Sequence, residues 1–254
     1  MTIRVLLAAI AAGLVAGFLM TPVQATKVVP IIMQAEAYET AGHDHETAKA
    51  DHIHDDGSAH MADHQLAADA AAPAHVHGQA AAPAGAEEQL LLGRFFNTLI
   101  ANLVTGAGFG LLLAGVSLAA GVRVTFLTGL AWGFGGWLCV QLLPALGLPP
   151  ELPGFPHVDV TARQIWWVAT VMASIAGFWF VFLYKSQWFR ALGMIVLIAP
   201  HAYGAPQPVN MSSRVPAYLA SQYATGSLAT TLFFWLVLGL ALGWLWDRMP
   251  QESA

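Results

Sequence analysis

Apolar runs of membrane-spanning length recur along this chain, separated by short polar breaks and one long one. Residues 3–24 are apolar after a lone Arg4; runs at 95–120, 124–146, 165–184 and 227–246 follow, with a shorter one at 191–203. A bilayer core takes about 20 helical residues, so an apolar run of that length predicts a transmembrane helix. Four of the runs carry a Gly-x-x-x-Gly spacing: Gly13/Gly17, Gly106/Gly110, Gly129/Gly133 and Gly239/Gly243. Residues four apart share a helix face, and glycines there let two backbones approach closely. No strand alternation, heptad or long repeat accompanies them. The pattern predicts an all-α fold, a polytopic transmembrane helical bundle of five or six spans.

Two runs leave the span count open. Residues 1–24 read either as a signal-like segment, with Val23-Gln24-Ala25 as the cleavage site, or as a retained first transmembrane helix. The Gly13/Gly17 spacing favours retention. The 191–203 run would rise about 20 Å as a helix, short of a core of roughly 30 Å. It predicts a steep short span or a re-entrant segment that leaves five.

Composition agrees with a membrane protein. Of 254 residues, 57% are hydrophobic and 10% charged, where a soluble domain carries about 25% charged. Cys139 is the one cysteine, which excludes a disulfide framework and a cysteine-based zinc motif. There is no phosphate-binding glycine loop and no nucleophile–base constellation, so neither an ATPase domain nor an enzyme is expected. No nucleic-acid partner is expected either.

The long polar break, residues 25–94, predicts an extracytoplasmic loop. Within it, 43–77 holds eight of the ten histidines: His43, His45, His52, His54, His60, His64, His75 and His77. Six of these form His-x-His pairs, and Asp44, Glu46, Asp51, Asp55, Asp56, Asp63 and Asp69 lie among them. The remaining Ala, Gly and Pro bury too little surface to repay the entropy of folding. A disordered, His-rich metal-capturing tether is predicted, its imidazoles and carboxylates suiting Zn, Ni, Co or Cu. Six spans with the N-terminus inside give Arg4, Arg123, Lys185, Arg190 and Arg248 in short inside segments, against Asp247 and Glu252. Basic residues in short flanks mark the cytoplasmic side, so the tether belongs outside. Residues 249–254 form a C-terminal tail.

Polar residues in or beside the spans are candidates for an ion pathway. Glu36 and Glu39 precede the tether. Thr98, Asn102 and Thr105 are spaced to line one helix face. Gln141 lies in the third apolar run. The stiff, proline-rich loop 144–164 carries Glu151, His157 and Asp159, with Arg163 placed to pair with Asp159 as an ordinary ion pair. His201 follows Pro200 in the short run, where a proline-interrupted segment exposes carbonyls to a cavity; a boundary histidine in interfacial water is the plainer alternative.

Several motifs resemble the CbtA family of bacterial cobalt transporter subunits. They are Val28-Val29-Pro30 with Ala35-Glu36-Ala37-Tyr38-Glu39, Asn102-Leu103-Val104-Thr105-Gly106, the run Pro144 to Gly154, Ala162-Arg163-Gln164-Ile165-Trp166-Trp167, and Pro200-His201 before Gly204-Ala205-Pro206. The resemblance covers nearly all of the chain outside the tether. It implies a multi-pass protein of the bacterial inner membrane that imports Co²⁺ for cobalamin synthesis, with a small single-span partner, CbtB, that has its own histidine-rich end; the His-rich loop of this chain is read from its own sequence alone. It also implies a retained first segment. Ni²⁺ and Zn²⁺ suit the same ligands, and a membrane-anchored metal receptor or buffer that does not translocate metal is the alternative function.

Overall fold

A computed structural model describes residues 2–38 and 84–249, with side chains at 3–38 and 91–249. The described residues form helices joined by turns and loops, with no strand among them. Helix α1 is Thr2–Lys27 and α2 covers residues 29–38. Helix α3 is Ala84–Ala119 and α4 is Phe126–Ala145. Helices α5 (Val160–Leu183), α6 (Gln187–Tyr203) and α7 (Ala217–Asp247) complete the set.

Local chemistry sets several of these boundaries. A reciprocal capping box between Thr125 and Thr128 starts α4. The Asp159 carboxylate accepts from the Ala162 N–H at 2.9 Å and starts α5. Gly204, at φ 92°, ends α6 in a conformation that a side chain would resist. Near its end α4 widens into one π turn, Leu138–Leu142, where the Leu143 N–H donates to the Leu138 carbonyl five residues back. Pro144, next in line, has no N–H and crowds the carbonyl four residues earlier, which the wider turn relieves.

The glycine spacings explain how the long helices pair. Gly13 and Gly17 of α1 lie against Gly106 and Asn102 of α3, and Ala9 against Gly110, an antiparallel register. Gly129 and Gly133 of α4 lie against Gly239 and Trp235 of α7, and Thr125 against Gly243, again antiparallel. A Cβ on Gly13 would fall 2.0 Å from the Gly106 carbonyl oxygen, and one on Gly239 2.0 Å from that of Gly129. All four predicted Gly-x-x-x-Gly pairs are thus consumed in two crossings. A third crossing, Gly177 of α5 on Gly193 of α6, joins the remaining pair.

That third pair places the short run against α5. Tyr184 stacks on Phe189 at one end, with ring centroids 4.5 Å apart. At the other end, the Trp166 indole N–H donates to the Gly204 carbonyl at 3.1 Å. Helix α6 therefore runs back along α5, and its 17 residues rise about 25 Å. Five helices are long and apolar enough to cross a membrane by length and composition; with α6, the described chain traverses the bundle six times. Pro200 sits in the last turn of α6 and does not interrupt it.

The core lies where α1, α3, α4 and α7 meet. Trp235, Leu238 and Leu242 of α7 and Ala9, Ala12 and Ala16 of α1 are completely buried there. Val171, Ile175 and Phe178 bring α5 onto the same cluster. Buried hydroxyls return to their own helices: Thr21 to Gly17 O (2.9 Å), Thr170 to Trp166 O (2.8 Å) and Ser174 to Thr170 O (2.7 Å). Outside, Ile3, Leu127, Phe182 and Trp188 are each more than 70% exposed. In a multi-pass membrane protein lipid covers such a surface, while backbone polar groups are satisfied within the helices.

The two ends of the bundle differ. One gathers the start of α1, the 120–125 turn and the end of α7, where the Phe126 N–H donates to Asp247 Oδ2 at 2.8 Å and Arg123 bonds the Trp246 carbonyl. The other carries a small apolar cap: Ala35, Leu152, Val215 and Leu219 are buried together, with Ile31, Ile32, Phe155 and Tyr223 around them. Segment 25–94 is less loop-like at its margins than expected. Helix α1 continues to Lys27, α2 occupies 29–38, and α3 begins at Ala84 because Ala84–Arg94 is rich in the helix formers Ala, Glu, Gln and Leu. For the same reason the last span starts at Ala217 and not at 227.

Candidate functional site

The apolar cap gathers most of the described pathway candidates at one end of the bundle. Helix α2 carries Glu36, whose carboxylate meets Arg94 of α3 in a two-pronged pair, Nη1–Oε1 3.2 Å and Nη2–Oε2 3.0 Å. Both side chains are substantially exposed, so the pair is worth little in stability and serves to tie α2 to α3. One α3 turn deeper than Thr98, the Asn102 amide donates to Thr21 Oγ1 at 3.1 Å and Gln24 Oε1 at 2.8 Å, a polar clamp between α1 and α3. The stripe expected to include Thr105 is divided: Asn102 faces α1, Thr98 bonds the Arg94 carbonyl at 2.8 Å, and Thr105 is exposed. The slip is one of angle, since i and i+7 on a straight helix are displaced from i+4 enough to leave a narrow interface.

The proline-rich loop is held by apolar anchors, Leu152 and Val158, both buried, and by Ser213 donating to the Gly154 carbonyl at 3.0 Å. Arg163 pairs with Glu151 at 2.5 Å and not with Asp159. Asp159 is committed to the α5 N-terminus, where the exposed backbone N–H groups and the helix dipole attract its charge. That geometry leaves the Arg163 guanidinium one turn into the helix and turned toward Glu151. His157 is exposed on the loop. Gln141, in the π turn, lines an open cleft of about 550 Å³ with Arg163, Gln164 and Trp167.

His201 is set apart by its surroundings. Its ring stands edge-on to Trp166, centroids 6.0 Å apart, and Trp166 is pinned by its bond to Gly204. The His201 Nε2 atom is buried with no hydrogen-bond partner; the other such side-chain atoms among the described residues are the indole nitrogens of Trp235 and Trp246. An indole N–H cannot ligate a cation, whereas an imidazole nitrogen can. Glu39 and the tether histidines from His43 to His77 lie outside the described residues. Among those described, no three His, Cys, Asp or Glu side chains form a metal-holding group. Sequence reasoning missed Arg94 and Trp166, the two residues that position Glu36 and His201; the Trp166-Trp167 pair at the start of an apolar run was the available signal.

The description "Probable cobalt transporter subunit (CbtA)" matches residues 2–247, nearly the whole chain. The chain belongs to the CbtA family. No curated protein and no solved structure matches it. The CbtA match takes in α1 together with every other helix, and the family's description is of a probable cobalt transporter subunit.

Proposed function

We propose that this CbtA-family protein imports Co²⁺ across the bacterial inner membrane, with the His-rich segment in the periplasm and a single-span CbtB-like subunit as partner. The observation that carries the reading is the family match over residues 2–247. The orientation rests on charge: Arg4, Arg123, Lys185, Arg190 and Arg248 belong to the end opposite the apolar cap. In this reading His43, His45, His52, His54, His60, His64, His75 and His77 collect the ion. Glu36, Glu39, His157 and Asp159 then attract it to the cap. Asn102, Gln141 and His201 offer oxygen or nitrogen along the way.

His201 has the strongest claim among the pathway residues. Its buried Nε2 has no protein partner to displace, while Glu36 must first release Arg94. Co²⁺ is favoured by the family, and Ni²⁺ and Zn²⁺ compete for the same ligand types.

Radioactive cobalt uptake into vesicles, with and without the CbtB-like subunit, tests the proposal. Accumulation against the no-protein control is expected. Binding without accumulation in both settings would sink transport in favour of a membrane-anchored buffer. Deleting residues 43–77 should depress uptake more at scarce than at abundant metal, as removal of a collector requires.

A further inference from the structure

We infer that Trp166 controls access to the Nε2 atom of His201, as a latch whose seat is Gly147. The inference rests on the proposed reading of His201 as a cation ligand and adds the residue that decides when that nitrogen can be reached. Trp166 is 6% exposed, yet it belongs to neither of the two apolar clusters that form the core and the cap. Its burial is local. The indole N–H donates to the Gly204 carbonyl at 3.1 Å, and the ring stands edge-on to His201 with centroids 6.0 Å apart. The benzo edge rests on Gly147, where an added Cβ would fall 2.7 Å from Trp166 Cζ2 and 2.9 Å from the Ala205 Cβ, with Trp166 Cη2 nearer still. A side chain at 147 would take the space that the ring occupies, so the seat requires glycine.

The contacts fall on two sides of a seam. Trp166 sits in the second turn of α5, while His201 and Gly204 close α6 and Ala205 follows them. These move together, because Gly177 on Gly193 locks the two helices. Gly147 belongs to the turn that leaves α4, its N–H donating to the Pro144 carbonyl at 3.2 Å. Separating α5 and α6 from the end of α4 takes the benzo edge off Gly147. The ring is then held by one hydrogen bond and can turn about its side-chain torsions. Sealing an imidazole nitrogen without a partner costs free energy, so the closed arrangement carries a penalty that opening removes. A tryptophan that only fills an apolar core has no such counterweight.

The test is carbethoxylation of the full chain in detergent at one pH, with modified histidines located by peptide mapping. The reagent favours Nε2, since Nδ1 is crowded by the side chain's own Cβ. His157, exposed on the proline-rich loop, is the internal reference. In the natural chain His201 should react at least about tenfold more slowly than His157, because the reagent reaches it only through a local opening. Trp166→Phe keeps an aromatic ring but loses the N–H and the edge that meets Gly147; it should raise the His201 rate toward that of His157. Gly147→Ala unseats the ring from the α4 side and should do the same, whereas Trp167→Phe, at the exposed neighbouring tryptophan, should not. Equal rates at His201 and His157 in the natural chain would overturn the inference. So would a His201 rate unmoved in both Trp166→Phe and Gly147→Ala. Adding Co²⁺ to Trp166→Phe separates the two readings: protection of His201 supports both, and fast modification without protection would overturn the cation role alone.

Discussion

Substituting Gly13 by alanine tests the packing argument at its tightest point. The new Cβ would lie 2.0 Å from the Gly106 oxygen, 2.4 Å from the Gly106 carbon and 2.7 Å from the Ala107 nitrogen, where ordinary contact begins at 3.4 Å. All three obstructing atoms are backbone, so no rotamer change relieves the clash. Helices α1 and α3 must part by more than an ångström, loosening Ala9 against Gly110 and stretching the Asn102 clamp. Overpacking of this kind costs about 1–3 kcal/mol, and the upper half of that range fits a clash against main chain. Gly108 provides the control, since a Cβ there meets nothing within 4 Å and alanine is the better helix former. Thermal unfolding of purified protein in one detergent would be followed by tryptophan fluorescence. Gly13→Ala should lower the midpoint, and Gly108→Ala should leave it unchanged or slightly raised. The double variant Gly13→Ala/Gly106→Ala should cost less than the sum, because the first substitution already separates the helices. Equal midpoints for Gly13→Ala and Gly108→Ala would refute the reasoning.

Further outcomes follow from the other sites. His201→Phe keeps a ring against Trp166 but removes Nε2; it should preserve the melting temperature and cut cobalt uptake by on the order of tenfold or more, as loss of a metal-directed nitrogen does. Uptake equal to the natural chain would remove His201 from the pathway. Metal capture by the 43–77 segment should weaken as pH falls through about 6.5, because a protonated imidazole has no lone pair to donate; calorimetric titration of the protein at pH 7.5 and 5.5 reads this, and equal affinity would exclude imidazole ligation. In a Cys139→Ser background, single cysteines introduced at Asn210 and at Arg190 should label from opposite faces of the membrane, the Asn210 position from the periplasm. Labelling of both from one face would refute six traverses.

The spans were legible because apolar runs of about 20 residues leave a helix almost no alternative. The glycine spacings foretold close packing, but not which helix meets which: Gly13/Gly17 and Gly106/Gly110 belong together only once the antiparallel register is known. Gly177 and Gly193 carried no such spacing, so the α5–α6 crossing was invisible, and the 191–203 run was undercounted because α6 recruits Gln187 and Trp188 to its first turn. At the site, residue types were legible and partners were not. Arg163 lies four residues from Asp159 and yet chooses Glu151, because the helix N-terminus has already claimed Asp159. The burial of His201 Nε2 depends on Trp166, which is distant in sequence and adjacent only through the α5–α6 hairpin.

The three glycine crossings divide this bundle into members that differ in stiffness. Within α1–α3, α4–α7 and α5–α6, main chain rests on main chain, and sliding one partner would open gaps that no side chain is present to fill. Helix α1 also packs closely along α7, whereas α5 meets the core through side chains such as Val171, Ile175 and Phe178, which adjust by changing rotamer. Any rocking that alternately exposes the two faces must therefore run along the seam beside α5, with the α5–α6 couple moving as one rigid beam against the rest.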